Sequence, residues 1–159
     1  MPARRAPKAS LDNELADLLP RVSRELHRRV WPQIRASGIT NAQFWILKWI
    51  SVNGSMTVTE LARFLDLTAA TVTQFVNELE SQGLIERTRS VKDRRVVALR
   101  ASAKGQRVLD SAQKLAAKAT ARFSRPLPGA DKAAAVRVLQ ALAKALEEES
   151  PSLPGKTKR

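Results

Sequence analysis

The sequence has no cysteine, no tyrosine and a single histidine, His27. Without thiols there can be no disulfide, no thiolate nucleophile and no thiol-based redox sensing. One imidazole is too few soft ligands for a zinc site built within one chain, so no metal is expected. There is no Gly-rich phosphate loop, and no Ser or Asp stands at a spacing that would pair it with His27. Neither an enzyme nor a cofactor is therefore expected. No window approaches the ~20 apolar residues needed to span a bilayer. The basic N-terminus runs into Leu11, Asp12, Asn13 and Glu14 rather than an apolar block, so the expectation is a cytoplasmic protein with no membrane partner.

What the chain does have is positive charge. Its 159 residues carry a formal +13. Discounting Arg4, Arg5 and Lys8 at one end and Lys156, Lys158 and Arg159 at the other leaves +7 on the body. A folded surface this basic favours polyanions, because contact with phosphates releases their counterions. The Pro-, Ala- and Arg-rich segment 1–9 and the tail 150–159, with Pro151, Pro154 and Gly155, read as disordered basic arms. The length suits one functional unit.

Between the arms the periodicity is helical. Leu11, Leu15, Leu18, Val22, Leu26, Val30 and Ile34 recur at three- and four-residue steps, which places a long helix over 10–37. Pro20 and Pro32 each lack an N–H and crowd the carbonyl four residues back. They predict a kink or restart near 20 and an early end or kink near 32. The next starts follow from capping chemistry, in which a Thr oxygen takes a first-turn amide and a Gln or Glu three residues on reaches back. Thr40 with Gln43 opens a helix through about Val52, and Thr57 with Glu60 a short one ending near Leu65. Thr68 caps a fourth that stops at Gly83. Leu84–Arg89 and Arg95–Leu99 then read as two strands of a hairpin joined by residues 90–94. Ser102 caps the next helix, and a break at Pro126, Pro128 and Gly129 precedes the last, with Ala135, Leu139, Leu142 and Leu146 on one stripe.

Helix, short helix, tight turn, helix, hairpin is the order of a winged helix-turn-helix. The fold class expected is mainly α with a small β-hairpin wing, plus a helical dimerisation region. Residues 38–101 make the DNA-binding region, and the terminal helix pair within 102–149, which has too little of its own chain to cover its apolar stripe, is expected at a dimer interface. In such a unit the fourth helix enters the major groove of duplex DNA with its N-terminal side chains at the base edges. Thr68, Ala69, Ala70, Thr71 and Gln74 occupy that end. Val72, Phe75, Val76 and Leu79 turn to the core. Gln74 has the chemistry to pair bidentately with adenine, and the Thr hydroxyls to bond phosphates or bases. Arg87, Arg89, Lys92, Arg94, Arg95 and Arg100 make the hairpin basic against Glu86 and Asp93 alone, which suits a narrow, negative minor groove.

Leu61-Ala62, Leu67-Thr68, Thr71-Val72-Thr73, Leu79-Glu80, Gly83 through Arg87, and Asp93-Arg94-Arg95 followed by Gly105 resemble the MarR family of bacterial regulators. The resemblance extends over most of Leu11 to Leu146. It implies that Asp93 braces the wing through an arginine pair, that Arg95 beside Arg94 reaches the minor groove, and that the first and last two helices form a homodimer on a palindromic operator. Two positions depart from the family pattern. Gln74 stands where many members have Arg, which affects base preference, and Ala101 stands where Leu commonly closes the second wing strand.

His27, Trp31, Trp45 and Trp49 form the one unusual aromatic group, paired at four-residue spacing. Core filling accounts for them. So does a ligand pocket between the first two helices, where the resemblance implies that small aromatic carboxylates or phenols bind, stacked on indole and paired by His27 or a nearby Arg. The function expected is a sequence-specific, ligand-responsive transcription regulator, in the sense of a repressor. Its rival is a non-specific architectural nucleic-acid-binding protein.

Overall fold

A computed structural model describes residues 8–89 and 97–149. In chain order these form α1 (Lys8–Arg35), α2 (Asn41–Asn53), α3 (Val58–Phe64), α4 (Ala69–Ser81), β1 (Ile85–Arg89), β2 (Val97–Ala101), α5 (Ala103–Ser124) and α6 (Gly129–Glu149). The fold is mainly α with a two-stranded antiparallel wing, as the helix starts and the change of period lead one to expect. Among the described residues no helix is long and apolar enough to cross a membrane.

The helix starts lie where the capping chemistry puts them. Thr40 and Thr57 each head a complete capping box, their side chains accepting from the amides of Gln43 and Glu60 while those residues reach back. Thr68 and Ser102 cap α4 and α5 by the same side-chain acceptance, from Thr71 and Gly105. Past the end of α4, Gly83 takes φ 69°, a left-handed conformation that a residue with a Cβ adopts only at a cost. The turn between α3 and α4 also needs a left-handed residue, and Asp66 supplies it at φ 52°. Asp tolerates this region better than most residues.

One expectation is corrected. α1 neither restarts near Pro20 nor ends early at Pro32, but continues through both to Arg35. Each proline removes one amide donor, from the carbonyl of Ala16 and of Arg28. These residues and both prolines are exposed, so water can serve the freed acceptors.

The core lies where α2, α3, α4, the wing and α5 converge. Ile46, Leu47, Ile50, Leu61, Val72, Val76, Leu79 and Leu99 have no exposed surface at all. α1 closes this core through Ile34, with Val30 and Trp31 packed against it, and runs along α5. Grooves between the two helices pair residues 21–29 with Phe123 and residues 28–33 with Ala119 to Phe123, so they lie antiparallel. A contact unseen in the sequence binds the wing to the helices: Met56, between α2 and α3, exchanges both backbone hydrogen bonds with Leu99, at 3.1 and 2.7 Å. Outside the core, α1 leaves Leu11, Leu15, Leu18, Leu19, Val22 and Leu26 exposed, and α6 leaves Val136, Val138, Leu139 and Leu146 exposed.

Candidate nucleic-acid interface

The geometry of α4 begins with its cap. Thr68 accepts the Thr71 amide at 3.2 Å, and the two hydroxyls lie 2.8 Å apart. The Thr pair is thus fixed in one arrangement, and the hydroxyl proton not used between the two is left to donate to a phosphate oxygen. Ala69 and Ala70 are exposed and small, so the first turn can come close to a backbone. Gln74 is exposed one turn further along. There is no acidic residue in the first turn, and the open amides of a helix N-terminus favour an anion.

The opposite side of α4 is held in three ways. Val72, Val76 and Leu79 are fully buried, and Phe75 is half-buried against the same core. Glu78 accepts from Nε2 of Gln43 at 3.2 Å, and Oε1 of the same amide accepts from the backbone N–H of Thr40 at 2.9 Å. Gln43 is 3% exposed, a buried polar group kept because both ends of its amide are bonded. From the wing, Arg87 reaches back to α4, with Nε on Glu80 at 2.8 Å and Nη2 on the Asn77 carbonyl oxygen at 2.6 Å. Counted in the sequence as a wing cation, Arg87 instead ties β1 to α4. The signal available for it was an opposite charge seven residues back across the Gly83 turn.

The base of the wing is anchored around Gly83. The Ser102 hydroxyl donates to the Gly83 carbonyl at 2.6 Å and accepts the Gly105 amide at 3.0 Å, while Lys104 donates to the Gln82 carbonyl at 2.7 Å. Gly105 sits so close to Leu84 that a methyl group there would overlap its carbonyl oxygen. Arg89 is exposed at the end of β1 that leads to the tip. Lys92, Asp93, Arg94 and Arg95 lie outside the described residues. Ala101, paired with Ile85, is partly buried against the core.

The aromatic group divides in two. His27, Trp31 and Trp45 come together with Phe44, which the four-residue spacing does not mark. The centroids are 5.9 Å apart for His27–Trp31, 6.2 Å for Trp31–Trp45 and 5.5 Å for Phe44–Trp45. Trp49 packs instead on Phe64 of α3, at 3.8 Å. Lys48 holds its ammonium 4.8 Å above Trp45. On the same face of α2, the buried Oδ1 of Asn41 has no hydrogen-bond partner. Along α1, Glu25 accepts from Arg28 at 2.8 Å and Arg29 at 3.1 Å. The hydrogen bond from Arg28, then that from Arg29, holds its carboxyl below the ordinary 4.5.

Comparison with known proteins agrees with this geometry. Residues 39–97 match the model of the MarR family. The HTH-type transcriptional repressor MdtR of Bacillus subtilis (strain 168) is 35% identical over 78 residues, which cover 46% of this chain and 50% of that protein. The chain spans about half the length of the curated relatives it matches. Among solved structures, a MarR family protein from Bacillus stearothermophilus superposes with a TM-score of 0.79 at 26% identity, over 89% of this chain and 99% of that one. A mutant of MarR from E. coli complexed with operator DNA shares the fold at a TM-score of 0.66 and 21% identity, over 86% and 99%.

Proposed function

We propose that this chain, whose residues 39–97 match the model of the MarR family, is a transcription regulator of that family that binds a palindromic operator as a homodimer. The observation that carries this is α4: an N-terminal face on which Thr68, Ala69, Ala70 and Gln74 are exposed and Thr71 is half-buried, on a helix clamped from behind by Gln43–Glu78 and Arg87–Glu80. Groove readout requires such rigidity, since side chains must meet base edges in a fixed register. In this reading Gln74 reads a base, the Thr pair and Arg89 contact the backbone, and Lys92, Asp93, Arg94 and Arg95 supply the minor-groove contacts. Repression is the sense of regulation proposed, supported by the similarity to the repressor MdtR. The exposed apolar rows of α1 and α6 are the surfaces for the second protomer, since rows of this extent are unfavourable in water.

The effector proposed is a small aromatic carboxylate or phenol at the His27–Trp31–Trp45 cluster, with Trp49 on its far flank. Lys48 offers a cation above the Trp45 ring, and Asn41 an unspent polar atom, on the face where such a molecule would stack. A ligand there releases DNA only by binding the DNA-incompetent arrangement better, and DNA must then weaken the ligand by the same factor. The test is titration of aromatic acids against tryptophan fluorescence, with and without bound operator. Saturable quenching that weakens when DNA is present supports the reading. If no compound quenches, and Trp45→Phe leaves the DNA response intact, the cluster is core filling.

A further inference from the structure

The solvent side of α5 and its C-cap carry Lys104, Arg107, Lys114, Lys118, Arg122 and Arg125, all exposed. At ~100° per residue these six fall within an arc of ~80° and extend ~31 Å along the helix axis. Ser111 is the uncharged position that falls within the row. The one carboxylate in α5, Asp110, lies off the row and accepts from Gln106 at 2.9 Å. Among the described residues none of the six cations is in a salt bridge. A helix face that serves only solvation gains from opposite charges at four-residue spacing. Here Lys114–Lys118 and Lys118–Arg122 are like charges at that spacing, and Lys104–Arg107 and Arg122–Arg125 at three. The row opposes helix stability, and among the described residues no carboxylate pairs with it to relieve the repulsion.

We propose that this row is a second, sequence-independent binding surface for the phosphate backbone of duplex DNA, separate from the groove-facing end of α4. A line of cations over this length fits a linear polyanion better than a single carboxylate or phosphate. Its cations are spread along the side of one long helix rather than gathered at a helix end that enters a groove, which suits contacts to the phosphate backbone. Its foot is fixed beside the groove-facing helix, where Lys104 holds the Gln82 carbonyl, and it leads away from there. It therefore meets DNA flanking the recognised site or a second segment of duplex. At its far end Arg122 shares a groove of about 440 Å³ with Arg28 and Arg29, whose two charges share one carboxylate, Glu25. The positive surface widens there. Phe123 lies ~140° around α5 from the centre of the row, so a dimer made through the apolar faces leaves the row open.

The test uses the full chain and a random-sequence duplex of about 30 base pairs, titrated by fluorescence anisotropy across a salt series. Each neutralised phosphate contact contributes ~0.9 to the slope of log affinity against log salt. The triple variant Lys114→Gln, Lys118→Gln, Arg122→Gln is expected to lower the slope by ~2 to 3. The charge-conserving Lys114→Arg, Lys118→Arg pair is expected to keep the wild-type slope. Since the ratio of operator to random-duplex affinity reports on base readout and the salt slope on random duplex reports on the row, failure of operator recognition and failure of this surface are separable. A slope in the triple variant within ~0.5 of wild type overturns the proposal. So does a triple variant that keeps its DNA affinity and loses binding to polyglutamate, the result expected if the row serves an acidic protein.

Discussion

Gln43→Glu isolates the polar contact that ties α2 to α4. Glu is a standard residue at this position of a capping box, so the reach back to the Thr40 amide survives. What changes is the other half of the amide, where a donor 3.2 Å from the Glu78 carboxylate becomes a second carboxylate in a spot that is 3% exposed. The lost bond is worth about 1.5–3 kcal/mol for a charged acceptor, nearer 1 here because the carboxylate is partly exposed. Two charges ~3 Å apart would repel by ~5 kcal/mol at an effective dielectric of ~20. The pair escapes the full repulsion by taking up a proton, which costs about 3.7 kcal/mol at pH 7 for a carboxyl of ordinary pKa near 4.3. The expected loss at neutral pH is therefore between about 1 and about 4 kcal/mol.

The sign with pH follows from where the proton binds. The folded variant holds it more tightly than the unfolded chain, so the penalty is small near pH 4, where both states are protonated. It grows as pH rises and levels off once the folded pair has ionised. Urea denaturation at about pH 4.5 and about pH 7.5, at fixed protein concentration so that any association is constant, reads both values. The double variant Gln43→Glu, Glu78→Gln exchanges donor and acceptor and should recover most of the loss. A deficit under ~0.5 kcal/mol at neutral pH, an equal deficit at both pH values, or a double variant no better than the single would refute the reasoning.

Gly105→Ala should destabilise the wing base by ~1–3 kcal/mol or more in thermal unfolding, since the obstructing atom is a backbone carbonyl that cannot swing aside. Arg87→Leu should cost under ~1 kcal/mol of global stability, because its partners are exposed, yet speed amide exchange in β1 by freeing the wing from α4. Unchanged exchange would mean that the pair does not hold the wing. Arg28→Ala should raise the Glu25 titration midpoint by NMR. The pair's contribution to α1 is present above the ordinary 4.5 and is lost as pH falls through the lower folded value.

The helix starts were legible because their chemistry is local: Thr40, Thr57, Thr68 and Ser102 each meet a partner three residues on. The wing was legible in kind but not in register, and β2 ends at Ala101 rather than Leu99. Pro20 and Pro32 misled because the cost of one missing bond was set against no gain, while a 28-residue helix packed on α5 absorbs it. The contacts that position α4 could not be read. Gln43–Glu78 and Met56–Leu99 join residues 35 and 43 apart, and nothing in their own neighbourhoods marks them. Trp45 and Trp49 share a helix flank by spacing but sit ~40° apart around it. That is enough to send one to α1 and the other to Phe64.

The most direct test of groove recognition by α4 is a ratio of affinities. Genomic fragments retained by the full chain are sequenced, and a shared site is compared with random duplex of equal length at one salt concentration near 150 mM. The account predicts one dimer per site, two half-sites about one helical turn apart, and a preference of at least ~10³-fold. It also predicts that Gln74→Ala loses ~1–3 kcal/mol of discrimination at one position per half-site. A ratio below ~10 with no common half-site spacing would contradict it and leave an architectural, charge-driven binder as the correct description.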